Sequence, residues 1–150
     1  MATYQRFEDL PAWQMAAELY DQTEALMTAV PPRLSRSFRD QVERAALSVS
    51  NNIAEGFERG STSELLAFLY IARGSAGEVR SMLLILTRRP WLPPELQPRI
   101  LELKRTAESC SRQIRAWASS LQNSEIRGQR HLAGKNRGCT QKGSVLKSGI

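Results

Sequence analysis

Residues 61–88, STSELLAFLYIARGSAGEVRSMLLILTR, decide the fold. Ser61-Thr62-Ser63-Glu64 has the S-x-x-E form of a capping box, so a helix is predicted to open there. It continues to Thr87 or Arg88 and would be about 39 Å long at ~1.5 Å per residue. With successive residues about 100° apart, Leu65, Phe68, Leu69, Ala72, Ala76, Val79, Met82, Leu83 and Leu86 share one side. A helix that only covers a core carries charge on its other side. This one carries Leu66, Tyr70, Gly74, Gly77, Ser81, Leu84 and Ile85 there. In a four-helix bundle each helix shows one side to water, so this second side is expected to meet another copy of the chain. Leu66, Tyr70, Gly74, Gly77, Ser81 and Leu84 are the expected oligomer interface.

The flanking segments are also helical in period, and none alternates with the period of a strand. A first helix is expected from near Asp9, as cap, with Pro11 in its first turn, to the residues before Pro31-Pro32. Trp13, Ala16, Leu19, Tyr20, Thr23, Leu26, Met27 and Val30 form its buried face. A second runs from about Phe38, with Ser37 as cap, to Gly56 or Phe57. Its core face is Phe38, Val42, Ala45, Val49, Ile53 and Gly56. Asn52 falls in that stripe and is expected to be a buried, hydrogen-bonded amide. Gly56-Phe57-Glu58-Arg59-Gly60 then reads as a turn, with Gly56 the helix stop. The fourth helix begins at Pro93-Pro94. Its Leu96, Ile100, Leu103, Ala107, Cys110, Ile114, Trp117 and Leu121 repeat at steps of four and three, the heptad seam of helices crossing at ~20°. The expected fold class is all-α, an antiparallel up-down four-helix bundle.

The 150 residues carry a net charge of +6, but up to Ile126 there are 15 Lys and Arg against 15 Asp and Glu. The whole excess lies on Arg127, Arg130, Lys135, Arg137, Lys142 and Lys147, in a stretch without acid or aromatic residues. Two domains follow: a bundle over 1–126 and a basic tail over 127–150, expected to be disordered. The longest apolar run, Leu65 to Ala72, is far short of the ~20 residues of a membrane span. The start of the chain has no apolar stretch of a secretory signal, and two cysteines make no disulfide scaffold, so a cytoplasmic location is expected.

Chemistry-bearing patterns are sparse. The one histidine, His131, lies in the tail. Di-iron Glu-x-x-His pairs, zinc sites and His-assisted nucleophiles therefore lack their ligands or bases. No phosphate-loop or dinucleotide glycine pattern occurs. The expectation is a protein that is not an enzyme and uses no cofactor or metal.

Four motifs, in order, resemble one family: Phe7-Glu8-Asp9-Leu10 with Trp13; Gln41-Val42-Glu43-Arg44-Ala45-Ala46-Leu47-Ser48-Val49; Asn52-Ile53-Ala54-Glu55-Gly56-Phe57; and Phe68-Leu69-Tyr70-Ile71-Ala72-Arg73-Gly74-Ser75. They are similar to the bacterial four-helix-bundle proteins encoded in intervening sequences of 23S ribosomal RNA genes. The resemblance covers about residues 7 to 121 and implies a bundle assembling as a ring-like homopentamer. It also implies kinship in fold with the accessory variability determinant of diversity-generating retroelements, which binds a reverse transcriptase and nucleic acid. The chain departs from the pattern at Ser50, often proline, and at Glu43, often basic.

The expected function is that of an oligomeric accessory protein binding RNA or DNA. Arg39, Arg44, Arg73, Arg80, Arg127, Arg130, Lys135 and Arg137 would contact phosphates, since Lys and Arg supply most non-specific affinity. The alternative is a homo-oligomeric scaffold that binds only protein, with its helix arginines solvated or paired to acids. Clustering of the arginines on one face would favour the first.

Overall fold

The computed structural model describes residues 3–123. Four helices follow one another: α1 (Pro11–Ala29), α2 (Arg36–Glu58), α3 (Thr62–Leu86) and α4 (Gln97–Asn123), with short 3-10 turns at Phe7–Asp9 and Pro94–Leu96. Consecutive helices pack together, and α4 closes the ring against α1. Cross-helix pairs fix the antiparallel course: Gln41 donates to Glu78 and Ser48 meets Ser75 between α2 and α3, while Thr106 donates to Gln22 and Pro11 and Ala12 share a hollow with Ala116 and Trp117 between α1 and α4. The basic stretch 127–150 lies outside the described residues.

The helix starts correct three expectations, and the first is at the fourth helix: Pro93 and Pro94 open only the 3-10 turn Pro94–Leu96, and α4 itself begins at Gln97. Asp9 belongs to the 3-10 turn, and α1 begins at Pro11 with Leu10 as an extended N-cap that makes no side-chain cap. Proline excludes the helical region for the residue before it, which fixes the boundary at Leu10. The cap of α2 is Ser35 rather than Ser37. Its Oγ accepts the Phe38 N–H at 3.2 Å, the reach from an N-cap to the third helical residue, and Ser37 lies inside the first turn. In α3 the expected cap holds: Ser61 accepts the Glu64 N–H at 3.2 Å and donates its hydroxyl to the Glu64 carboxylate at 2.9 Å.

Gly56 does not stop α2, which runs on to Glu58. It is buried against α3, where an added Cβ would lie 2.7 Å from the Phe68 Cβ and 3.2 Å from the Leu65 Cδ1. Its lack of a side chain lets two helices approach. The left-handed residue that the turn needs is Gly60, at φ 95°.

The core follows the periodicity. Leu65, Leu69, Ala72, Ala76, Val79, Leu83 and Leu86 of α3 are fully buried, as are Ile100, Leu103, Ala107, Cys110 and Ile114 on the α4 seam. Burial pushes the Cys110 thiol up to about 12, so it remains a protonated core side chain. Asn52 is only half-buried. Its amide donates to the Ser48 carbonyl at 2.7 Å and the Ser48 Oγ at 2.8 Å, within its own helix, and Ser48 Oγ reaches Ser75 Oγ at 2.9 Å. It sits at the edge of the α2–α3 seam and closes a small polar cluster there.

Candidate functional site

Helix α3 shows water the side that the sequence marks as unusual. Tyr70 is 46% exposed and Leu84 49%, and Gly74 and Ser81 are exposed as well. Leu66 instead packs against the core, and Gly77 is half-buried. Neither Gly74 nor Gly77 has an atom within 4 Å of where a Cβ would stand. Near the end of α3, exposed Leu84 lies beside Leu101 of α4, 44% exposed, in an apolar patch. Leu84 and Leu101 line one groove there with Thr87, Pro98 and Lys104.

Towards the middle of the same seam the chemistry changes. Arg73 and Arg80 of α3 face Arg112 and Arg115 of α4 across a groove of about 410 Å³, which Gly77, Glu108 and Ser111 complete. Two helical periods make the set. Arg73 and Arg80 lie seven residues apart, two turns on one face, and Arg112 and Arg115 lie three apart, adjacent on the next turn. Glycine at 77 leaves the space between them open. Four guanidinium groups thus share one concavity with one carboxylate, Glu108.

No ion pair among the described residues neutralises these arginines. Among the described residues the ion pairs are Arg6 with Glu8, and Arg59 with Glu55 and Glu64. None includes a groove arginine. Arg112 donates to the Ser109 hydroxyl at 3.1 Å, and the buried Nε of Arg80 has no hydrogen-bond partner. A guanidinium presents five donors in a planar fork that fits phosphate or carboxylate oxygens two at a time. The groove is therefore equipped to hold an anion with several oxygens.

The other predicted arginines separate from this set. Arg39 is half-buried and caps α1: its guanidinium donates to the carbonyls of Met27, Pro31 and Val30, the last at 3.0 Å. These are carbonyls at the negative end of a helix, and a cation there is stabilising. Arg44 is exposed on α2 and lines a groove with Tyr20, Asp40, Glu43 and Leu47, among acids. Arg127, Arg130, Lys135 and Arg137 lie outside the described residues. The structure brings together Arg73 and Arg80 and adds Arg112 and Arg115, which the sequence alone did not single out. A helical wheel of α4 carried the signal: Arg105, Arg112 and Arg115 fall on one side with Glu108 as the lone acid.

Charge is uneven over the bundle. Helix α1 has Glu18, Asp21 and Glu24 and no base, whereas α4 has Arg99, Lys104, Arg105, Arg112 and Arg115 against Glu102 and Glu108. No group of three or more His, Cys, Asp or Glu that could hold a metal stands among the described residues. No helix among them is long and apolar enough to cross a membrane. Compared with known proteins, residues 8–116 match the model of a family described as 23S rRNA-intervening sequence protein. The match runs from the first 3-10 turn to Ala116 of α4 and contains all four groove arginines. No curated protein matches the chain.

Proposed function

This chain belongs to the 23S rRNA-intervening sequence protein family, and from that premise we propose that it is a non-enzymatic, self-associating protein that binds nucleic acid by its phosphates. The observation that carries the reading is the α3–α4 groove, where Arg73, Arg80, Arg112 and Arg115 meet one carboxylate and no ion pair. Phosphate contacts of this kind position a polyanion without reading its bases. The basic residues beyond Ile126 add sequence-independent attraction. Self-association rests on a separate feature, the apolar patch of Leu84 and Leu101, which lies towards the other end of the seam from Tyr70. Exposed patches of this kind, rimmed by polar residues, mark association surfaces.

A salt titration of RNA binding tests the first part. The double variant Arg80→Ala/Arg112→Ala should bind more weakly to every sequence. For single strands its slope of log K against log salt should fall by about 0.7 for each phosphate that the variant no longer neutralises. Deleting residues 127–150 should lower affinity further and equally across sequences. Unchanged affinity and slope in the double variant would leave the bundle as a protein-binding scaffold. For self-association, sedimentation of Leu84→Glu/Leu101→Glu should show smaller particles than the parent chain, and a parent that is already monomeric at micromolar concentration would refute it.

A further inference from the structure

We propose that the α3–α4 groove takes single-stranded nucleic acid, with its phosphates on the four arginines and one base stacked on the Tyr70 ring. The proposal rests on the phosphate-binding reading of the groove and adds the class of strand. Tyr70 lies one turn before Arg73 on α3, so the ring stands beside the first arginine. It is nearly half exposed, yet it is not a loose surface side chain: Gln122 of α4 donates its amide to the Tyr70 hydroxyl. Gln122 is two turns beyond Arg115 on α4, and Tyr70 is one turn short of Arg73 on the antiparallel α3. The hydrogen bond therefore fixes the ring over the same seam, at the end of the arginine groove.

One turn on from this ring the helix carries no side chain. On a helix, position i+4 shares a face with position i, and four residues after Tyr70 stands Gly74, exposed and with no atom within 4 Å of its Cβ position. The next small position, Gly77, opens the groove itself. A half-exposed flat ring, open space one turn along from it and a file of positive charge leading away are what an unpaired nucleotide needs. Its base stacks, and the phosphates that follow run along the arginines. From Tyr70 to Arg80 the file extends about 15 Å along α3 at ~1.5 Å per residue, room for a short run of backbone. A duplex keeps its bases paired inside and, away from its ends, offers Tyr70 no face to stack on.

The test uses the full chain and fluorescence anisotropy with one short mixed-sequence RNA, either alone or annealed to its complement. Tyr70→Ala should weaken single-strand binding about tenfold. It should leave duplex binding and the salt slope unchanged, because stacking releases no counterions. Tyr70→Phe keeps the ring and should keep most of the affinity. Equal losses on both nucleic acids, or none on either, would overturn the stacking role. If Arg80→Ala/Arg112→Ala still weakened binding in that case, the groove reading would survive. A parent chain that bound neither probe would overturn both readings. A change in sedimentation without a change in binding would assign Tyr70 to a contact between copies and reject the proposal.

Discussion

Where α2 crosses α3, Gly56 admits Phe68 so closely that a methyl group would collide with it. Where α4 faces α3, a Cβ added at Gly77 would meet no neighbouring side chain or helix within 4 Å. The polar groups of the two seams differ in the same way. Ser75 and Asn52 both bond Ser48 on the α2 side, while among the described residues Arg73, Arg80, Arg112 and Arg115 on the α4 side have no acid bonded to them. One seam is closed by its own residues and the other is left open. A glycine or an arginine thus has no fixed role by type: its role follows from what stands opposite it.

The largest effect that would test this contrast is at the closed seam. Gly56→Leu should lower stability by at least the ~1 to 3 kcal/mol usual for overpacking, since the nearest atoms include the Cα of Leu65 as well as side chains. An unchanged urea midpoint would show that the seam yields and is not closed. Next come two half-buried arginines with opposite surroundings. Arg39→Met removes charge-assisted bonds to three carbonyls and should cost about 1.5 to 3 kcal/mol. Arg80→Met removes a guanidinium whose Nε bonds nothing and should move stability by no more than about 0.5 kcal/mol. Equal costs at the two positions would mean that the chain itself satisfies Arg80. Smallest is the gain expected on the open side, where Gly74→Ala and Gly77→Ala should each stabilise by about 0.5 to 1 kcal/mol. A drop in stability at Gly74 would instead place a second backbone against α3, the contact between copies that the sequence suggests.

The fold was largely legible, because burial inside one helix depends on spacing that the sequence displays. Leu65 to Leu86 and Ile100 to Ile114 are buried in the order that their period requires. Helix starts were harder, since Ser35 and Ser37 are both good caps and the choice depends on which one the backbone leaves extended. Gly56 misled because glycine ends helices often, and its packing role exists only once α3 is in place. The groove was legible by half. Arg73 and Arg80 stood out on α3, but their partners on α4 depend on the antiparallel register between two helices, which no single segment encodes. Arg39 was misplaced for a related reason: the carbonyls it binds belong to the end of another helix.

The uneven charge of the bundle acts before anything touches. In a ring of four helices α1 and α2 stand across from the α3–α4 seam, and Glu18, Asp21, Glu24, Asp40 and Glu43 sit on that far side. On the proposed function, a polyanion approaching from there would be repelled, and one approaching the arginines attracted. The field therefore exerts a torque that orients the protein during diffusion, which raises the fraction of encounters that are productive. Association should then slow steeply as salt shortens the Debye length, while the lifetime of the formed complex changes less.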